Sequence, residues 1–598
     1  MKKKLVCLLM VLSLAGCNSN RPTDNSQKPS EDDTNVSVES PSEDTQSSDD
    51  ESSSEDDSSF NSEESIEPEE SEYSSDSEYF SETEETEDSV KPDESENTSE
   101  SDYFSETEDP NQPLDISIRN LYFADYSGGD IYLEELEEKF NVSLKLQSYS
   151  WSTWNEEVTV QVNGGNTGDV FHANISSSNY GNTYKKWVED EILKPLPDDL
   201  SNWPNIENLI QNTSNIDHLK IDGKLYGIPI HQDDIPFANY TYMYRRDWAK
   251  QWGVYQENDE YTWEQFMQLL LTFKERLERY CYPLADSEWG YPSITNFYKK
   301  APYCYVQDNE GQYVNNFTTN EYIEGLQMSK MFTENGLYHP DQFNFTDGYA
   351  QQCYIANRVG VFYENLSYSN FVNIRRQLER NNKASSNFNL DDASAIMKIK
   401  SPADKYVLEG TENWFSMTLF NYSMTDRKQE KMLDILDWLL SEEGTRNAIY
   451  GMEGYDFNVV DGEVELIDEQ WQKDSDGNYA PKTNGVKYLR YMVSLGYDTL
   501  EYDPYTNLNA YNIVKTWQNE MNQALEDSSL YIINENPEVA YLATPQKSNY
   551  TEALLSDARV TAMKYVYNKI TTIEDYIAAF NDLRWDAVLS EINEALGK

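Results

Sequence analysis

Hydrophobic and polar positions alternate along Asp115–Phe123 (DISIRNLYF), which predicts a first strand. Asp130–Phe140 follows, with Ile131, Leu133, Leu136 and Phe140 at helical spacing, and Val142–Gln147 predicts a second strand. Strand, helix, strand implies a parallel pair with the helix as crossover. Trp151 and Trp154 lead into a predicted helix over Asn155–Val162, and Gly164–Phe171 into a loop and a third strand. Asp222-Gly223 is a tight-turn dipeptide between the alternating runs Leu219–Ile221 and Leu225–Ile228, so a hairpin is expected there, ending near Ile228 because Pro229 cannot donate to a ladder. Ala238–Arg245 predicts another strand, with Tyr240, Tyr242 and Tyr244 on one face. Thr262-Trp263-Glu264-Gln265 is a capping box opening a helix with Phe266, Leu269, Leu270, Phe273 and Leu277 on one side. Asn320–Glu334 and Asp426–Ser441 are amphipathic, Ala395–Ile399 and Trp414–Asn421 read as strands, and Asp461-Gly462 turns a hairpin. A short strand pair, a proline stop, an acidic loop and a new strand, all within Asp222–Trp248, suit a chain leaving one α/β lobe for another.

The first hundred residues follow different rules. Three lysines precede an apolar run from Leu5 to Ala15, the pattern of a secretory signal and too short for a membrane span. Leu14-Ala15-Gly16-Cys17 resembles the bacterial lipobox, which implies cleavage before Cys17 and lipid on that cysteine. Between Glu31 and Pro110 there are 33 acids against one lysine, with SEYFSETE at Ser77–Glu84 returning as SDYFSETE at Ser101–Glu108. Such a segment repels itself and has little to bury, so a disordered tether is expected. Subtracting its −32, and the +4 of residues 1–30, from the formal −62 leaves about −34 on the rest. No basic patch accompanies that charge, which excludes nucleic acid as a partner. Beyond Cys7 and Cys17 the cysteines are Cys281, Cys304 and Cys353, which form neither a disulfide framework nor a zinc pattern and are read as buried thiols.

Several strings stand in a telling order. Asp222-Gly223-Lys224-Leu225-Tyr226-Gly227-Ile228-Pro229 precedes Tyr242-Met243-Tyr244-Arg245-Arg246-Asp247. Thr167-Gly168-Asp169-Val170 and Trp187–Leu200 (WVEDEILKPLPDDL) lie upstream. Thr262-Trp263-Glu264-Gln265, Cys353–Phe362 (CYIANRVGVF), Tyr450–Phe457 (YGMEGYDF) and Lys569–Tyr576 (KITTIEDY) lie downstream. In this order they resemble the extracellular solute-binding proteins of sugar ABC importers, family 1, over nearly all of Leu114–Lys598. The chain departs from the family wording at Gly168, where a proline is usual, at Asn357-Arg358, where glycine-lysine is usual, and near Thr571-Thr572, where a glycine is missing. The resemblance implies an α/β, two-lobed periplasmic-binding-protein-like fold of type II, each lobe a mainly parallel sheet flanked by helices, with the ligand cleft between lobes. The expected division is signal 1–16, tether 17–113, lobe one 114–236 with 408–462, and lobe two 237–407 with 463–598.

Sugar recognition needs flat aromatic faces for the C–H surfaces of the ring and planar acids and amides for its hydroxyls. The chain holds 13 Trp and 45 Tyr. Ligands of open α/β sheets lie beyond the carboxyl ends of strands. That rule picks out Tyr126, Ser127, Trp151, Trp154, Asn174, Asp233, Asp234, Glu364, Asn365, Tyr368, Trp414, Glu453 and Asp456, with Trp289 and Tyr303 as outliers in lobe two. Against catalysis, His172, His218, His231 and His339 lack the spacing of a zinc helix and read as loop or surface residues. There is no nucleophile elbow, P-loop or dinucleotide fingerprint, so neither a cofactor nor a metal is expected. Carboxylate pairs are uninformative in a chain with 108 acids. The resemblance implies a lipid-anchored, monomeric, non-enzymatic receptor on the outer face of the cell membrane, partnered by oligosaccharide and ABC permease subunits. A tethered glycoside hydrolase or lyase, or a binder of peptides or other solutes, stays open at this point.

Overall fold

The computed structural model describes residues 112–598 apart from 127, 176–178, 287–291, 303, 343–344, 346–347, 468, 472–483 and 505. The signal, Cys17 and the tether therefore lie outside the described residues.

Lobe one is built on Leu114–Asn120 (β1), Val142–Ser148 (β2), Val170–Ala173 (β3) and Gly227–His231 (β4). Lobe two begins with Tyr240–Tyr244 (β5), Glu260–Tyr261 (β6) and Tyr282–Asp286 (β7). A small hairpin, Tyr305–Gln307 (β8) and Tyr313–Asn315 (β9), precedes Val359–Asn365 (β10) and Ala395–Ile399 (β11). Tyr406–Glu409 (β12) leads to the crossing back, Trp414–Phe420 (β13) rejoins lobe one, and a hairpin of Phe457–Val460 (β14) and Glu463–Leu466 (β15) follows. Leu530–Ile533 (β16) is the last strand and pairs in parallel with β12.

The two main sheets have orders β2-β1-β3-β13-β4 and β6-β11-β5-β10-β7. In each, one strand runs against its neighbours: β13 in lobe one and β5 in lobe two. Both are the first strand laid down after a crossing, so the chain enters each lobe at the cleft end.

Local sequence accounts for much of this. Leu114, Ile116, Ile118 and Asn120 of β1 are buried while the positions between them are open or half-open. Asp130 caps the Ile131–Phe140 helix by accepting from the Tyr132 and Leu133 amides, and Thr262 with Gln265 makes the full capping box of the Trp263–Arg276 helix. Asp222 and Gly223 both take positive φ (51° and 79°), as a tight turn requires, but the hairpin shrinks to a single Ile221–Lys224 bridge. Leu219 closes a short 3₁₀ turn instead of entering a strand. Pro229 does not end its strand: β4 continues to His231, because it is the sheet's edge strand and a missing N–H on that side costs nothing.

Lobe one has one core, in which Ile118, Val170, Phe171 and Leu419 meet Leu433 and Leu436 of the Asp426–Leu440 helix. Leu489, Met492 and Val493 belong to the same core. The segment from Asn484 to Ser494, expected in lobe two, thus packs on lobe one, where the Gly485 amide donates to Asp130 (2.9 Å) and Thr418 Oγ1 to the Met492 carbonyl (2.6 Å). Its apolar positions pack into the lobe-one core, so the third crossing, expected after residue 462, falls after Ser494. The buried clusters of lobe two include one around Met243, Phe362, Ile374 and Trp517 and another around Tyr322, Leu326, Tyr576 and Trp585. Cys304 and Cys353 are buried free thiols and Cys281 is a partly exposed one.

Candidate ligand cleft between the lobes

Three segments join the lobes, and main-chain hydrogen bonds tie them to one another. Ala238 N donates to Glu409 O (2.8 Å), Gln232 N to Asn413 O (3.0 Å), His231 N to Val493 O (3.0 Å) and Leu495 N to His231 O (2.8 Å). Gly410 bridges Phe237 on one side and donates to Ile533 O (2.9 Å) on the other. A Cβ there would stand 1.8 Å from Asn534 Oδ1, so any larger residue would have to displace that side chain.

Beside this hinge lies a cavity of about 770 Å³. Lobe one contributes Asn174 and Ile175 just past β3, Ser214 and Asn215, and Trp414 and Phe415 at the start of β13. Lobe two contributes Asn365 at the end of β10, Ser367, Asn534, Glu535 and Tyr541, while Asp233, Asn239, Glu409 and Glu412 come from the crossings. The cavity therefore sits at carboxyl ends of parallel strands, and also at the amino end of the antiparallel β13.

The wall is held in place by hydrogen bonds. Trp414 Nε1 donates to Ser214 O (3.1 Å), Ser214 donates from both N and Oγ to Asn413 Oδ1 (2.9 Å each), and Asn215 Nδ2 donates to Glu412 (2.6 Å). Asn365 Oδ1 accepts from Ser367 N (3.0 Å), and Gln518 Nε2 donates to Asn239 Oδ1 (3.0 Å). Four carboxylates line the cavity, those of Asp233, Glu409, Glu412 and Glu535; no Lys, Arg or His does so among the described residues. Burial raises Asp233 above the ordinary carboxylate range, opposed by Lys515 and by hydrogen bonding from Gln518. Glu409 is paired with the buried Lys299. Burial lowers Lys547 to about 8, with Glu535 working the other way.

The lobes also touch outside the hinge. The helix Pro545–Val566 of lobe two lies against the π-helical turn Gly181–Lys185 of lobe one. A Cβ on Gly181 would come within 1.9 Å of Ser548 Oγ, and Asn182 Nδ2 donates to the Ser548 carbonyl. Tyr541 stacks on His218 (5.5 Å between centroids) and meets Tyr180 edge-on (5.6 Å). Its phenol is held protonated first by burial and further by Glu412, to which it hydrogen-bonds.

Of the residues singled out from the sequence, Asn174, Asp233, Asn365 and Trp414 line the cavity. Tyr368 joins Asp233 in a small side pocket and accepts from the Asn507 amide (2.7 Å). Glu364 is buried behind Asn365, whose amide it accepts (2.8 Å). Asp234 is exposed, 3.9 Å from His231. Trp151 is 59% exposed and edge-on to Tyr122 and Trp154. Trp154 is buried, donates to His172 O (3.2 Å) and packs near Phe415. Tyr126 donates to Asp130 (2.7 Å) and packs on Tyr488. Glu453 and Asp456 belong to the turn before β14, where the fully buried Asp456 accepts from the Met452 amide (2.9 Å). Ser127, Trp289 and Tyr303 lie outside the described residues.

Two histidines differ from the sequence reading. His172 is fully buried in β3, its pKa lowered by burial to about 3, packed on Trp154 and Tyr122 with Nε2 against Ser416 Oγ. His339 is buried as well, its pKa lowered by the same cause. Neutral imidazoles suit these aromatic surroundings. The sequence reading passed over Asn215, Asn239, Glu412, Asn534, Glu535 and Tyr541. Glu412 stands two residues before Trp414, which the sequence did single out, so the neighbouring signal was there. Among the described residues no cluster of three or more His, Cys, Asp or Glu could hold a metal, and no helix is long and apolar enough to cross a membrane.

No protein-family model matches the sequence, and no curated protein matches it either. Solved structures do match. An alginate-binding protein, AlgQ2, without calcium ion, superposes with a TM-score of 0.58 at 14% identity, over 81% of this chain and 98% of that one. An extracellular solute-binding protein from Bifidobacterium longum subsp. infantis gives 0.56 at 13% identity, over 81% and 97%. The Streptococcus pneumoniae ABC-transporter substrate-binding protein FusA, in complex with kestose, gives 0.53 at 14%, over 80% and 98%. This chain has the solute-binding-protein fold. At such identities the likeness is one of fold alone.

Proposed function

We propose that this is a lipid-anchored receptor that captures an oligosaccharide between its lobes and delivers it to an ABC permease. The observation that carries the reading is the hinge-side cavity, within the size range of pockets that enclose small-molecule ligands. Its lining mixes Trp414, Phe415 and Tyr541 with Asn174, Asn215, Asn239, Asn365 and Asn534, the aromatic faces and paired donors and acceptors that sugar rings and hydroxyls require. Three crossings give a hinge that can close on a ligand and report occupancy. The binding residues proposed are Asn174, Asp233, Asn365 and Trp414, with Glu412 and Tyr541 added. Tyr126, Trp151, Trp154, Asp234, Glu364, Tyr368, Glu453 and Asp456 lie outside the lining of that cavity.

Lipid on Cys17 would anchor the chain, diacylation supplying the two hydrocarbon chains that stable attachment needs. The acidic segment that follows Cys17 would stand between that anchor and a monomeric receptor on the outer face of the cell membrane. Thermal stabilisation of the protein by a panel of oligosaccharides and peptides tests the reading. A cognate sugar raises stability by about 2.7 kcal/mol at a hundredfold excess over Kd, and is recovered uncleaved. Stabilisation by peptides alone, or cleavage of the sugar, contradicts it.

A further inference from the structure

The cleft carries a charge pattern that bears on which sugars fit. Asp233, Glu409, Glu412 and Glu535 present carboxylates to the cavity, and the lysines nearest them are turned away from it. Lys299 is 5% exposed and is held by Glu409 and the Pro302 carbonyl (3.3 Å). Lys547 is 3% exposed and donates to the Ala540 carbonyl (2.9 Å). Lys515 stands in the side pocket with Asp233. Glu412 is met by the Asn215 amide (2.6 Å) and the Tyr541 phenol, and by no cation among the described residues.

We propose that the cleft takes uncharged oligosaccharides and rejects those bearing carboxylate, sulfate or phosphate, with Glu412 a main determinant of that choice. This rests on the receptor reading above and narrows it. A ligand anion entering the cavity meets four carboxylates and, among the described lining residues, no ammonium, guanidinium or imidazolium to pair with; a buried unpaired charge is costly. A sugar hydroxyl instead donates to these carboxylates, and charge-assisted hydrogen bonds are the stronger kind. The net charge of about −34 on residues 111–598 acts in the same direction during approach, opposing anions before contact.

The test is affinity of the full chain for matched ladders of two to about six sugar units at pH 7. Uncharged gluco-, xylo-, galacto- and N-acetylglucosamine oligomers are compared with oligogalacturonates and oligoalginates. The expected result is measurable binding of at least one uncharged series, with uronates of equal length weaker by about 100-fold or more. In Glu412→Gln that discrimination narrows by about tenfold, with uronate binding gained. An oligouronate bound as tightly as any neutral ladder overturns the proposal and leaves the receptor reading standing. Discrimination unchanged in Glu412→Gln overturns the role given to Glu412. Binding of peptides with no sugar bound at all overturns the receptor reading and this inference together.

Discussion

The lobes are joined in two unlike ways. Along the hinge, His231, Ala238, Glu409, Asn413, Val493 and Leu495 exchange main-chain hydrogen bonds, which need no particular side chain. At the second contact, Gly181, Asn182, Tyr180 and His218 of lobe one meet Ser548 and Tyr541 of lobe two, largely through rings and side chains. Main-chain pairing on continuous chain cannot come apart by diffusion, whereas a side-chain contact can open while both lobes stay folded. On the closing-lobe reading proposed above, the first region would persist and the second would open, and each can be broken separately.

The largest expected effect lies on the hinge side. Trp414 is 5% exposed, tied to Ser214 O, and forms part of the cavity wall. Trp414→Ala should destabilise the protein by about 3–5 kcal/mol and abolish sugar binding, as read by chemical denaturation and titration calorimetry. Gly181→Leu comes next. Its side chain has nowhere to go while Ser548 is in place, and enforced overpacking costs about 1–3 kcal/mol. Separation of the lobes relieves that strain, so the variant should show a larger radius of gyration and weaker binding with a nearly unchanged unfolding midpoint. A midpoint drop without expansion would mean that the contact is a fixed part of the fold. Tyr541→Phe removes only the hydroxyl that meets Glu412, and should cost about 0.5–1.5 kcal/mol in ligand affinity or stability.

The smallest effect is a pH slope at the root of the second contact. Lys547, one residue before Ser548, titrates near 8 in the folded protein because burial disfavours its charge. The unfolded chain keeps that proton up to the ordinary lysine value of about 10.4. Between these values the unfolded state binds more protons, so stability rises as pH climbs from about 8 towards 10. Lys547→Met should flatten that rise in thermal midpoints taken from pH 7 to 10. An identical slope in both proteins would place the titration elsewhere.

How much of this was legible beforehand depended on the range of the contacts. Alternation announced β1, capping chemistry announced the Trp263–Arg276 helix, and the Asp222–Trp248 string announced a crossing between lobes; all three are local signals. The packing of Asn484–Ser494 on lobe one was not legible, because its apolar positions say that a core exists without saying which. Tyr541 was hidden for the same reason: it meets Tyr180 and His218 across more than three hundred residues. Glu412 was missed although its neighbour Trp414 was picked, because only the antiparallel course of β13 brings the residues before that strand to the cleft. Pro229 misled because the reading assumed an interior strand where the fold supplies an edge.

The most direct test of the central claim is a calorimetric titration of the full chain with the sugar that stabilises it most, followed by chromatography of the sugar recovered. The account predicts saturation at one sugar per chain, full recovery of intact ligand, and loss of the heat signal in Trp414→Ala. A shortened sugar after incubation, or an undiminished signal in that variant, would contradict capture of an intact ligand in the inter-lobe cavity.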